Sequence, residues 1–296
     1  MTTRRINPGY WFVAPALSVI AAFFFAPVAA SVLLSLTDFD IYAVAQRANL
    51  RVVGLGNYGH LLRDPLFWVA LRNTAYFFVA ATPLSIAASL GTALLVTSPL
   101  ARGRSVFRTI FFLPVVTTLV AVAVVFRYVY HPRFGLLNYG LSWLGVAPID
   151  WLGDPTWAMP AIIVMAIWKN FGFNMVIFIA GLESIPERLY EAARIDGAGA
   201  WQQLCSVTLP LLAPTFLFVS IMTMIGYLQL FAEPYVMTQG GPSHSTLSIV
   251  LYMYQHGFRW WNMGYAAAVA FVLFAIILVF TFAALRLRGA GAAEAA

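Results

Sequence analysis

Charge is what this chain has least of. Charged residues make up 9% of 296 positions, and none falls anywhere in 197–232. There is one lysine and one cysteine. Each scarcity excludes something. The lone lysine, Lys169, lies in an apolar run behind Trp168. The chain therefore cannot form a G-x-x-x-x-G-K-[ST] loop, which needs a lysine at the nucleotide's terminal phosphates. A single thiol, Cys205, rules out an internal disulfide. No H-E-x-x-H pair or G-x-S-x-G elbow occurs, and the four histidines (His60, His131, His244, His256) stand far apart. No catalytic residue, metal site or resident cofactor is expected, and the chain is not expected to be an enzyme.

What remains is apolar. Hydrophobic residues make up 61% of the chain and the mean hydropathy is +0.83. A bilayer-spanning helix takes about 20 apolar residues, because lipid cannot satisfy exposed backbone groups. Six runs qualify, at about 10–36, 72–97, 109–130, 159–182, 211–232 and 264–285. The expected fold class is all-α, a polytopic membrane protein with a tail over 1–9, six spans within 10–285 and a second tail over 286–296. Membrane lipid is its solvent. The first run follows Arg4 and Arg5, but it is 27 residues long, whereas a cleavable signal has an apolar core of roughly 7–15. An uncleaved signal-anchor is expected.

Arginine sets the expected orientation. With both ends on one side, that face carries Arg4, Arg5, Arg102, Arg104, Arg108, Arg188, Arg194, Arg286 and Arg288. The other face carries Arg47, Arg51, Arg63, Arg72, Arg133 and Arg259, spread over longer loops. Short Arg-rich loops stay in the cytoplasm, so both termini and the loop 183–209 should be cytoplasmic. The net charge of +6 then reflects membrane topology, with no nucleic acid implied.

That loop interrupts the apolar pattern. Glu187, Arg188, Glu191, Arg194 and Asp196 stand within ten residues, and a Gly-Ala-Gly break follows. Ser184-Ile185-Pro186-Glu187 has the spacing of a capping box. Glu187 suits the positive end of a helix dipole, and Glu191 and Arg194 can pair along one face. Ala192 and Ala193 favour helix without bulk, Gly197 suits a left-handed cap, and a second short helix can run over about 200–208.

The residues Glu191-Ala192-Ala193, three more, Gly197, nine more, Val207, then Leu209-Pro210 resemble the EAA motif of binding-protein-dependent ABC importer permeases. Only Val207 departs from the pattern. Phe107-Arg108, Phe112-Leu113-Pro114, Gly135-Leu136-Leu137-Asn138, Thr238-Gln239-Gly240-Gly241-Pro242, Tyr252-x-Tyr254 and Gly264-Tyr265-Ala266-Ala267 are similar to its carbohydrate-uptake branch, of the maltose and glycerol-3-phosphate type of first subunit. The resemblance implies a type I importer permease in a bacterial cell membrane. It also implies a second homologous permease, two cytoplasmic ATPase subunits that bind ATP and Mg, and an extracytoplasmic solute-binding protein. In that family the loop is a coupling helix. Glu191 would contact the ATPase, Ala192 and Ala193 would permit close docking, and Gly197 would allow the turn.

Polar residues inside spans are costly and usually face protein or a water-filled cavity. Lys169, Asn170 and Asn174 fall mid-way along the fourth run, with Phe173 on the face of Asn170, and Tyr227 and Gln229 fall in the fifth. Amides, a phenol and aromatic faces suit a sugar; they equally suit bridges between helices. The resemblance favours a substrate path for Asn170, Phe173, Tyr227 and Leu230. Lys169 could pair with a carboxylate of the partner subunit, or attract an anionic or highly hydroxylated solute. The expectation is therefore a sugar or oligosaccharide permease. The rivals are a polyol-phosphate importer, a self-sufficient secondary carrier and a membrane enzyme.

Overall fold

The computed structural model describes residues 9–45, 50–98 and 101–294. Arg4, Arg5, Arg47 and all but the last residue of the 1–9 tail lie outside them. Helices carry the chain, and the only β pairing among the described residues is two isolated bridges. The described residues divide into two compact units. One comprises those within 1–65 and 252–274, the other those within 66–251 and 275–296.

Five helices are long and apolar enough to cross a bilayer: Phe12–Ser35, Pro65–Thr97, Pro155–Glu183, Ala213–Met237 and Met263–Arg286. A sixth candidate is a pair, Arg104–Val116 and Leu119–Val129, bent by 97°. The all-α membrane fold is as the hydropathy requires, because a helix satisfies its own backbone groups in lipid. Several boundaries differ. The second helix begins at Pro65, so Arg72 lies two turns inside it and not in a loop. The last helix continues to Glu294, through most of the expected tail.

The bend corrects the expected continuous third span. Pro114 lacks the amide that would bond back along the helix. Thr117 and Thr118 then turn extended, with ψ of 148° and 138°. The carbonyls freed there need donors. Thr117 Oγ1 donates to Pro114 O at 2.6 Å, and Lys169 Nζ donates to Val115 O at 3.1 Å.

The fourth span packs closely against this broken one. A Cβ on Gly172 would stand 2.1 Å from Phe111 O, so the backbones approach as only glycine allows. Phe77, Val122, Ile162, Met165, Tyr227 and Leu230 form one buried cluster. A second cluster, with Ile86, Met175, Phe178 and Val219, joins the second, fourth and fifth spans further along.

In the other unit a polar–aromatic cluster stands out. Tyr252 donates its phenol to Asp64 and accepts from the Tyr265 hydroxyl at 2.7 Å. The His256 ring lies 4.4 Å from Tyr252 and 4.6 Å from Tyr265.

Candidate functional site

A cavity of about 430 Å³ opens where the third, fourth and fifth spans meet. The bend of the third span contributes Val115 and Leu119, and the fourth span contributes Asn170, Phe173 and Asn174. The fifth contributes Met222, Thr223, Gly226 and Tyr227, after which its helix stops at Leu228. The backbone is irregular from Gln229 to Phe231, and a short helix resumes at Ala232–Met237. That interruption puts Gln229, Leu230 and Glu233 on the wall. It also corrects the expected uninterrupted run over 211–232. Irregular backbone at membrane depth is tolerated where it lines a cavity.

All six residues singled out from the sequence as a substrate path therefore share one wall. Their environments differ. Phe173 is 47% exposed and presents its ring to the space. Asn174 is buried and donates to Thr223 Oγ1 at 2.8 Å. Asn170 donates to Ala166 O at 3.0 Å, one turn back along its own helix. Tyr227 packs edge-on against Phe77 at 5.2 Å. Its buried hydroxyl has no hydrogen bond of full geometry; Ser85 and Asn170 are its polar neighbours.

Lys169 is not on the wall. Its ammonium is turned to Val115 O, where it meets the negative end of the broken helix. Lys169 thus caps the third span's bend, a role not among the partner-subunit carboxylate, anionic solute and hydroxylated solute expected for it. Thr223 and Glu233 are wall residues that the sequence reading left out. Thr223 stands four residues before Tyr227, on one helix face, which was a usable signal. Glu233 lies just past the apolar run, and only the break at 229–231 returns it to the cavity.

The wall is braced from outside. Asn73 Nδ2 donates to His244 O at 2.7 Å and to Leu247 O at 3.1 Å, and Thr74 Oγ1 accepts from Ile249 N at 3.0 Å. Ser248 Oγ donates to Leu230 O at 2.6 Å. The Gly-Gly-Pro turn between these contacts holds Gln239, Ser243 and His244 at positive φ. Such strain persists only where surrounding contacts over-determine the backbone.

The charged loop folds as a helical hairpin. Its first helix spans Glu187–Ile195 and ends in a Schellman motif. Ala198 N donates to Ala193 O at 2.8 Å, Gly197 N donates to Arg194 O at 3.1 Å, and Gly197 has φ of 82°. Two local expectations fail. Ser184 does not cap this helix; its hydroxyl bonds back to Gly181 O at 2.7 Å and closes the fourth span instead. Arg194 pairs at 3.7 Å with Glu187, one turn further away, and not with Glu191. The rotamer that reaches Glu187 also donates Nε to Tyr190 O. Glu191, Ala192 and Gly197 are exposed and Ala193 is half-buried. Ile195 and Trp201 are 87% and 74% exposed, an apolar surface beside the acidic one. The expected second helix forms as Ala200–Gln203 continued by a π-turn, Leu204–Thr208.

Residues 97–288 match the model of one family, described as the binding-protein-dependent transport system inner membrane component. The chain belongs to that family. The matched region contains the bent span, every described lining residue of the cavity and the charged hairpin. The chain is 39% identical over 279 residues to the lactose transport system permease protein LacF of Rhizobium radiobacter, covering 93% of this chain and 91% of that one. It is 34% identical to the trehalose/maltose transport system permease protein MalF of Thermococcus litoralis, over 94% of this chain and 92% of the other. Among solved structures, a bacterial ABC transporter involved in import of the acidic polysaccharide alginate superposes with a TM-score of 0.81. Its identity is 25%, over 94% of this chain and 93% of that chain. This permease is therefore a multi-pass membrane protein with the type I ABC importer fold, and the secondary-carrier and membrane-enzyme alternatives fall away.

Proposed function

We propose that this permease carries a sugar or oligosaccharide across the membrane by alternating access, in an importer driven by ATP hydrolysis on other subunits. The observation that carries the reading is the wall of the cavity. Asn170, Asn174 and Gln229 place amides, Tyr227 an aromatic ring, and Phe173 an exposed ring face, all around one space. A sugar presents hydroxyls that both donate and accept beside flat apolar C–H faces, so this set matches it at each point. Relatives that transport lactose and trehalose or maltose point the same way.

The partners follow from the same reading. The family's dependence on a binding protein supports an extracytoplasmic solute-binding protein that delivers the solute. A second homologous permease completes the pathway. The hairpin at 183–209 docks on one of two cytoplasmic ATPase subunits and the second permease's copy on the other, and those subunits bind ATP and Mg. Exposed Glu191, Ile195 and Trp201 surround a backbone thinned by Ala192 and Ala193, a surface shaped for another protein. Both termini and this hairpin then face the cytoplasm.

The test is to uncouple without unfolding. Glu191→Lys reverses an exposed charge that joins no ion pair among the described residues. Gly197→Pro removes both the φ of 82° and an amide that donates to Arg194 O. Each variant is expected to insert at normal levels and lose sugar uptake, with the ATPase detached or unresponsive to loaded binding protein. Full uptake by both would reduce the hairpin to a connector.

A further inference from the structure

Among the described residues that line the cavity, Glu233 is the only charged one. The residue is 8% exposed, and the backbone amides of Phe231 and of Glu233 itself lie against the carboxylate. Lys169 interacts with it electrostatically, but the two form no direct ion pair. The lysine is not among the lining residues and donates to Val115 O. What a solute meets on the described lining is therefore one carboxylate and no cationic side chain, with Lys169 acting only from behind the lining residues.

We infer that Glu233 is a specificity-determining residue, which makes the cavity select neutral, hydroxyl-rich solutes and turn back carboxylated or phosphorylated ones. The inference rests on the reading of this cavity as the solute path. A carboxylate accepts hydroxyl hydrogen bonds more strongly than a neutral oxygen does, so it favours a neutral sugar. An anionic sugar entering the same space meets like charge in a site with little water, where repulsion is screened far less than in bulk solvent. The amide-rich wall then supplies affinity, and the single charge supplies exclusion.

The charge of the cavity can be read without any solute, using small thiol reagents of opposite sign. In the assembled importer, with Cys205→Ser as background, Phe173→Cys places a thiol on the wall. Its rates with a trimethylammonium-ethyl and a sulfonatoethyl methanethiosulfonate are compared, each normalised to free mercaptoethanol. A unit charge across so small a cavity should favour the cationic reagent by at least about tenfold. Glu233→Gln should bring that ratio to within roughly threefold of unity, and Glu233→Asp should preserve the preference. Equal rates in the parent would mean an uncharged carboxyl, and faster sulfonate would mean that Lys169 dominates; either overturns the inference. So does a cationic preference that survives Glu233→Gln. Should Glu233→Gln fail to assemble, Glu233→Ser is read in its place, with the same outcomes. Because no sugar is added, failure here is distinct from failure of the sugar reading, which appears as absent sugar uptake.

Discussion

Gly172→Ala is the most demanding single change the structure offers, because it adds one methyl group where there is no room. The new Cβ would stand 2.1 Å from Phe111 O, 2.9 Å from Phe111 C and 3.2 Å from Phe112 Cα. These are backbone atoms, so no side chain can swing aside. The fourth span must retreat from the third by about 1 Å, and overpacking of this kind costs about 1–3 kcal/mol. Lys169 precedes Gly172 by three residues and so shares its face. Retreat stretches its 3.1 Å bond to Val115 O, and hydrogen bonds to charged groups contribute about 1.5–3 kcal/mol. One displacement causes both, and a stretched bond keeps part of its strength, so about 2–4 kcal/mol is expected in total. Gly91→Ala is the control: it lies in the second span, and its Cβ would meet nothing within 4 Å. The assay is the apparent melting temperature of the purified assembled importer, beside its transport rate per complex. Gly172→Ala should melt several degrees lower, on the order of 5–10 °C, and Gly91→Ala should match the parent. Equal melting of all three would refute the close approach, and with it the account of Lys169 as a cap on the bend.

Two further outcomes are expected. Burial lowers the His256 pKa from its usual value near 6.5, against the opposing pull of Asp64. The unfolded state then takes up a proton that the native cluster excludes, so stability should decline as pH falls below about 6.5. His256→Gln should flatten the difference in melting temperature between pH 7.5 and 5.5; an unchanged difference would remove His256 as its source. For topology, alkaline phosphatase fused after Gly103 or Gln203 should be inactive, and after Gly56 or Ser243 active. The reverse pattern would overturn the cytoplasmic placement of the hairpin.

Composition and spacing were enough for some features. A chain with no charge over 197–232 has lipid as its solvent, and lipid admits helices whose backbone groups pair within themselves. The hairpin's end was equally legible, because only a residue free at positive φ closes a helix as Gly197 does, and that preference is local. The grouping of Asn170, Phe173 and Tyr227 on one wall followed in part from helical spacing and the cost of polar groups in hydrocarbon. What the sequence could not decide were the partners of side chains whose options come from distant segments. Ser184 and Arg194 each had two local partners within reach, and spacing along the helix does not choose between them. Lys169 reads as a stray cation until Pro114 and the two extended threonines bend the third span and leave Val115 O without a donor. Glu233 reads as a residue beyond the membrane until the break at 229–231 folds it back onto the cavity. Both assignments needed the tertiary structure for one reason: a hydrogen bond or a charge acts over a few ångströms, and these groups lie 54 residues from the acceptor, in the case of Lys169 and Val115, along the chain.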